Sequence, residues 1–255
     1  MLRDAWRLSI GTLTAVPVAP PAIVDRRRAG LAMVLAPVTV VPFGATVAII
    51  GYAGARAGLP HLVVALVAIG ALVLGNRAFH IDGLADTVDG FAASYGRERA
   101  LAVMKTGTCG PAGVVAIVLV IGLQVAGLSS LFATPHHLRA DVLAGVAVCA
   151  SRAALALCCT RGVPSARPGG LGDTYTQTVR LPVAAGIWGA AAVLLALLAP
   201  GAGLGWWRGP LAAVCGVAVV AVLIARAIRR LGGVTGDVFG AAVELALATL
   251  LVALS

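Results

Sequence analysis

Residues 111–132 read PAGVVAIVLVIGLQVAGLSSLF, an unbroken run without a charged side chain. A helix of about 20 apolar residues crosses the hydrocarbon core of a bilayer, so this stretch predicts a transmembrane span. Similar runs on either side predict spans at 30–53, 60–79, 138–159, 181–199, 210–228 and 236–254. The whole chain of 255 residues is 60% hydrophobic and only 11% charged, whereas soluble domains carry about 25% charged residues. The expected fold is therefore all-α: a polytopic transmembrane helical bundle of about seven spans, in one domain over 1–255. No internal repeat, low-complexity tract or long linker divides it. Pro37 and Pro42 fall in the first span, where neighbouring helices can accommodate them. The opening segment, interrupted by Pro17, Pro20 and Pro21, has no small-residue cleavage site and reads as a short interfacial or re-entrant helix.

Loops on the cytoplasmic side of a membrane are enriched in Lys and Arg. With seven spans, all nineteen Lys and Arg except Arg56, Arg139 and Arg208 fall on one side. That asymmetry predicts a cytoplasmic N-terminus, an external C-terminus and cytoplasmic placement of residues 80–110. The net charge of +9 is then mostly topology. Nucleic acid is excluded as a partner, because the basic residues are scattered and lack an aromatic stacking platform. Anionic lipid headgroups and a phosphorylated small molecule fit the charge better. Of the five cysteines, Cys149, Cys158, Cys159 and Cys215 lie in predicted spans. Their spacing fits neither a zinc site nor a disulfide framework.

Against this apolar background, HIDGLADTVDG (80–90) places three of the chain's ten acidic residues within eight positions. As a helix, Asp82, Asp86 and Asp89 stand at i, i+4 and i+7 on one face. Stacked like charges repel, and a divalent cation relieves that repulsion. Oxygen-only ligands suit Mg²⁺, which usually takes one or two carboxylates together with substrate phosphates and water. Gly83 and Gly90 would allow close approach of a ligand or another backbone. Asp237, at the start of the last span, lies on the same side of the membrane. Glu244 follows two helical turns deeper, where an ionisable group is a functional candidate by default. Lys105, with Gly110 in the loop MKTGTCGPAG (104–113), precedes a helix N-terminus and suits phosphate. Arg167, in the glycine-rich loop 164–175, and Gly236, beside Asp237, join the candidate substrate-binding set. His80 is a candidate hydrogen-bond donor or base. Together these residues point to a membrane-embedded, divalent-metal enzyme acting on a phosphate ester or diphosphate.

HIDGLADTVDG resembles the signature of the cobalamin-5'-phosphate synthase family, the adenosylcobinamide-GDP ribazoletransferases. TLTAVPV (12–18), RERALAVMKTGTCGPAG (97–113) and LGGVTGDVFGAAVE (231–244) resemble further family motifs in the same order. Many members carry Asp-Ser where this chain has Thr106-Gly107, so Thr106 is left out of the metal set. The resemblance implies the last step of nucleotide-loop assembly in vitamin B12 biosynthesis. Adenosylcobinamide-GDP and α-ribazole (or its 5'-phosphate) would give adenosylcobalamin (or its 5'-phosphate) and GMP, with Mg²⁺, at the cytoplasmic face of the cell inner membrane. It further implies that Asp82, Asp86 and Asp89 hold Mg²⁺ against the diphosphate, with Asp237 closing the shell. Lys105 and Arg167 would steady phosphate oxygens, and Asp89 would accept the hydroxyl proton. A homo-oligomer or a complex with other pathway enzymes stays open. Two alternatives also stay open. DTVDG (86–90) matches part of the CDP-alcohol phosphotransferase pattern, whose later aspartates are missing here. An ion-coupled transporter would use the same acids as ion ligands.

Overall fold

Inside a bilayer each backbone N–H and C=O must find its partner within the protein, which favours helices over any open sheet. Among the described residues of the computed structural model, 1–93 and 96–255, there is no strand, only two isolated bridges. An amphipathic helix α1 (Leu2–Leu13) precedes the first span, formed by α2 (Arg26–Thr39) and α3 (Val41–Arg56). The second comprises α4 (His61–Gly75) and α5 (Phe79–Ala92). A short α6 (Arg97–Val103) leads into α7 (Pro111–Phe132), followed by α8 (His137–Ser151) and α9 (Ala153–Cys158). The last part holds a five-residue α10 (Leu171–Tyr175), then α11 (Leu181–Leu198), α12 (Arg208–Leu231) and α13 (Gly236–Leu254).

Six helical stretches are long and apolar enough to cross a membrane, and the bent pair α4–α5 makes a seventh if counted as one span. Contacts at the two ends of the bundle support that count. At the near end, Thr160 bridges to Val179 and Ser165 to Val234, while Arg97 donates to the Ala166 carbonyl. At the far end, Gly54 meets Val64, Gly51 meets Phe132 and Asp141, and Arg208 donates to the Leu254 carbonyl. The chain enters α4 at the far end and leaves α5 at the near end, beside Gly110 and the start of α7. A re-entrant loop would have returned it to the face it came from. The near end is the one that carries most of the Lys and Arg.

The second span departs from expectation. The sequence predicts a span over 60–79 with the acidic stretch beyond it, outside the membrane on the cytoplasmic side. The structure ends α4 at Gly75, turns the chain by 87° and starts α5 at Phe79. Arg77 and Ala78 both adopt left-handed backbone (φ 57° and 59°), a conformation costing an L-residue roughly 1–2 kcal/mol. The Gly75 carbonyl, freed by the break, accepts the Ala15 N–H from the segment after α1. Residues 80–92 therefore form the near half of a span, packed between α13 and α7.

The opening segment is helical as expected, and it is tied down. The Asp4 carboxylate accepts from the Ala22 N–H and from Arg28 Nε, at 3.1 and 3.0 Å. Those bonds, the backbone one foremost and then the Arg28 guanidinium, hold its carboxyl below the usual carboxylate range. Asp25 caps α2 by accepting the Arg28 N–H.

Candidate active site

Helix α5 carries the acidic stretch, and α13 supplies the wall it leans on. The two pack closely because Gly83 has no side chain: a Cβ there would come within 2.7 Å of the Asp237 carbonyl oxygen. Gly240 does the same for the α5 backbone at His80, with 2.9 Å to the His80 oxygen. This seam sets Asp237 beside Asp82 and Asp86, within electrostatic reach of one another. Asp82 is exposed, while Asp86 and Asp237 are half-buried. Among the described residues, Asp82 and Asp86 accept no side-chain or backbone hydrogen bond, and Asp237 accepts only from the Thr235 hydroxyl at 3.1 Å.

Asp89 differs from the other two aspartates of α5. It is buried, and it accepts the Gly110 N–H at 2.6 Å on one oxygen and the Gly113 N–H at 2.8 Å on the other. These are two of the donors that the first turn of α7 leaves without intrahelical partners. Neither glycine could carry a Cβ without meeting that carboxylate within 2.7 Å. The i, i+4, i+7 spacing groups the three aspartates on one face, yet the third is turned to the α7 N-terminus.

The other expected site residues divide in the same way. Arg167 is half-buried, donates to the Leu101 carbonyl and lies within electrostatic reach of Asp86 and Asp237. Its Nε is buried and has no partner among the described residues. Lys105 is exposed just past α6. Gly236 opens α13 and lines a cavity next to Asp237. Gly83 and Gly90, expected to admit a ligand or another backbone, both meet protein: the first packs on the Asp237 backbone of α13, and the second on the Met104 side chain, 2.6 Å from where its Cβ would be. His80 is buried, with Nδ1 3.3 Å from Asn76 Nδ2 and 3.6 Å from Glu244 Oε1. Gln124 donates to Glu244 Oε2 at 2.7 Å. This chain of polar contacts joins α5, α13 and α7 beneath the carboxylates.

The cavity, of about 340 Å³, opens between the end of α1, the start of α5 and the start of α13. Asp82, Asp237 and His80 line one part of it; Leu13, Met33, Phe79, Leu155 and Phe239 line much of the rest. Sequence reasoning missed these apolar residues and Thr12, whose hydroxyl lies 3.2 Å from the Tyr175 hydroxyl. The one signal was the stretch TLTAVPV, which begins at Thr12.

Among the described residues, no three His, Cys, Asp or Glu side chains converge tightly enough to hold a metal ion by themselves. The donor set nonetheless suits Mg²⁺: oxygen ligands, two of them without hydrogen-bond partners, at the mouth of a cavity where phosphate and water would complete the shell.

Helical architecture, an acidic cluster at one end of the bundle and a cavity beside it define a polytopic membrane protein with a carboxylate-lined site. The sequence model of the cobalamin-5-phosphate synthase family matches residues 5–255. The chain belongs to that family. It is 53% identical over 253 residues to the adenosylcobinamide-GDP ribazoletransferase of Nocardioides sp. strain JS614, covering 99% of this chain and 98% of that one. The enzymes of the same name from Frankia casuarinae and Pseudomonas aeruginosa are 38% and 34% identical. Those alignments cover 96% and 100% of this chain, and 92% and 100% of theirs. No solved structure matches the chain.

Proposed function

We infer that this chain joins adenosylcobinamide-GDP to α-ribazole or its 5'-phosphate, giving adenosylcobalamin or its 5'-phosphate and GMP. The observation that carries the reading is the meeting of two family motifs: HIDGLADTVDG on α5 and LGGVTGDVFGAAVE on α13 bring Asp82, Asp86 and Asp237 within electrostatic reach of one another, with Asp82 and Asp237 lining one cavity.

In the reaction, the ribose 3'-hydroxyl oxygen forms a bond to the phosphorus esterified to cobinamide. The bond from that phosphorus to the bridging oxygen breaks, and the bridging oxygen leaves with GMP. Asp86 is the proposed acceptor of the hydroxyl proton, because it is half-buried and has no hydrogen-bond partner among the described residues. Asp89 was expected in that role and among the metal ligands; with both oxygens engaged by α7, it is proposed instead as the anchor that fixes α5 to α7. Asp82, Asp86 and Asp237 are the proposed holders of Mg²⁺, which when bound supplies neutralisation of the diphosphate charge. Arg167 and Lys105 bind phosphate oxygens, Arg167 from a position within electrostatic reach of Asp86 and Asp237. His80 keeps α5 seated on Glu244 and borders the bound substrate. The reading puts the site at the cytoplasmic face of the inner membrane, supported by the Lys and Arg asymmetry.

The test is GMP release by the purified protein in liposomes. Release that requires both organic substrates supports the transferase. Binding of neither, with ion flux across the liposomes, would favour a transporter instead.

A further inference from the structure

Beyond the overall reaction, the shape and lining of the α1–α5–α13 cavity bear on which substrate occupies it. We propose that the cavity is the acceptor subsite and that its apolar part binds the flat, methylated benzimidazole of α-ribazole, leaving the corrinoid donor to approach from the open carboxylate side. The assignment rests on the transferase reading.

Size is the first argument. A cavity of about 340 Å³ lies at the small end of ligand sites. It admits a nucleoside and is far too small for a corrin ring with its peripheral amides and adenosyl group. Lining is the second. Leu13, Met33 and Leu155 are buried apolar side chains, Phe239 is a buried ring, and Phe79 is half exposed. Flat heterocycles stack on aromatic faces and pack against thioethers. Dimethylbenzimidazole presents almost no hydrogen-bonding edge, so it loses little on entering such walls. Guanine, the other base in the reaction, brings several donors and acceptors that would go unpaired there. Of the lining polar side chains, Thr12 meets Tyr175 and His80 Nδ1 meets Asn76 and Glu244. That leaves His80 Nε2 and the Asp82 and Asp237 carboxylates with hydrogen-bonding capacity to spare, too few groups for the edge of a guanine. A base seated among the apolar residues therefore turns its ribose hydroxyls toward the carboxylates, which is where the nucleophile is needed.

Gly11 supplies the test. It lines the cavity, and a Cβ added there meets only Val18, at an ordinary 3.7 Å, so the position accepts a side chain at the cavity wall. The full-length protein is prepared in detergent as wild type, Gly11→Ala and Gly11→Leu. Equilibrium binding of α-ribazole is read from its benzimidazole fluorescence, and binding of adenosylcobinamide-GDP by calorimetry. Filling the cavity is expected to weaken α-ribazole tenfold or more in Gly11→Leu, on the order of the discrimination a methylene gives in an apolar pocket. Gly11→Ala should fall between, so the series still decides if the leucine variant does not fold. Adenosylcobinamide-GDP should change by less than about twofold, and the riboside of unmethylated benzimidazole should lose less than α-ribazole. Weakened donor binding with unchanged α-ribazole binding overturns the proposal. So does insensitivity of both ligands, or a folded wild type that binds no α-ribazole. Because binding is read without turnover, the two claims fail separately. Gly11-sensitive α-ribazole binding without GMP release keeps the subsite and sinks the transferase. Normal GMP release with Gly11-insensitive binding does the reverse.

Discussion

Asp86 and Asp89 stand three residues apart on one helix, and their surroundings give them different roles. Asp89 accepts two backbone N–H groups from the start of α7, and hydrogen bonds to a charged group contribute roughly 1.5–3 kcal/mol each. Asp89→Ala is therefore expected to lower stability by about 3–6 kcal/mol, read as a fall in thermal unfolding temperature in detergent, with Asp89→Asn keeping one of the two bonds and losing about half as much. Equal stability of all three proteins would remove the anchor role. Cys109 offers a second reading of the same cluster. It is exposed, and desolvation, then the charges of Asp89, Asp86 and Asp82, push its thiol up. Thiolate is the reactive form, so maleimide labelling of Cys109 should be slow near neutral pH and accelerate as pH rises through the raised value. Binding of Mg²⁺ to the carboxylates removes part of that negative charge, lowers the thiol's pKa and should shift the labelling profile to lower pH. A profile that Mg²⁺ leaves unmoved would argue against the proposed metal set.

At the scale of elements, the apolar runs were legible from hydropathy. The span expected over 111–132 is α7 to the residue, and those at 181–199, 210–228 and 236–254 fall within a few residues of α11, α12 and α13. The bent second span was not legible. Nothing in Asn76-Arg77-Ala78 signals left-handed backbone, since neither glycine nor proline is present; the break is imposed by packing of α5 against α13 and by the Ala15 bond to Gly75. For the same reason the one-face spacing of the three aspartates was right for α5 alone and silent about α7, whose glycines take the third. The cavity's apolar lining was also hidden, because Leu13, Met33, Leu155 and Phe239 look like any core residues until distant helices bring them together. The bend predicts its own test. Ala78→Gly relieves the left-handed strain and should raise stability by about 1 kcal/mol with activity retained. A drop in the unfolding temperature would mean that the Ala78 methyl packs more than the strain costs. Gly83→Val, by contrast, should force α5 off the Asp237 backbone and reduce GMP release far more than it reduces the amount of folded protein.

Over the whole molecule, the near end gathers the acidic cluster, the cavity and most of the basic loops, while the far end holds short connections. The proposed topology, seven crossings with a cytoplasmic N-terminus, would put Leu254 outside, so a reporter fused after Ser255 should give an external signal; a cytoplasmic signal would contradict that topology. The α5–α13 carboxylates are proposed to perform the transfer, and the decisive experiment is GMP release by Asp82→Asn, beside wild type, in liposomes with both substrates and Mg²⁺. Asp82 is exposed and has no hydrogen-bond partner among the described residues, so the substitution should leave the unfolding temperature unchanged. The predicted result is a loss of about 100-fold or more in rate, the scale on which removing one charge-stabilising group acts. A folded Asp82→Asn protein that releases GMP at close to the wild-type rate would contradict the account.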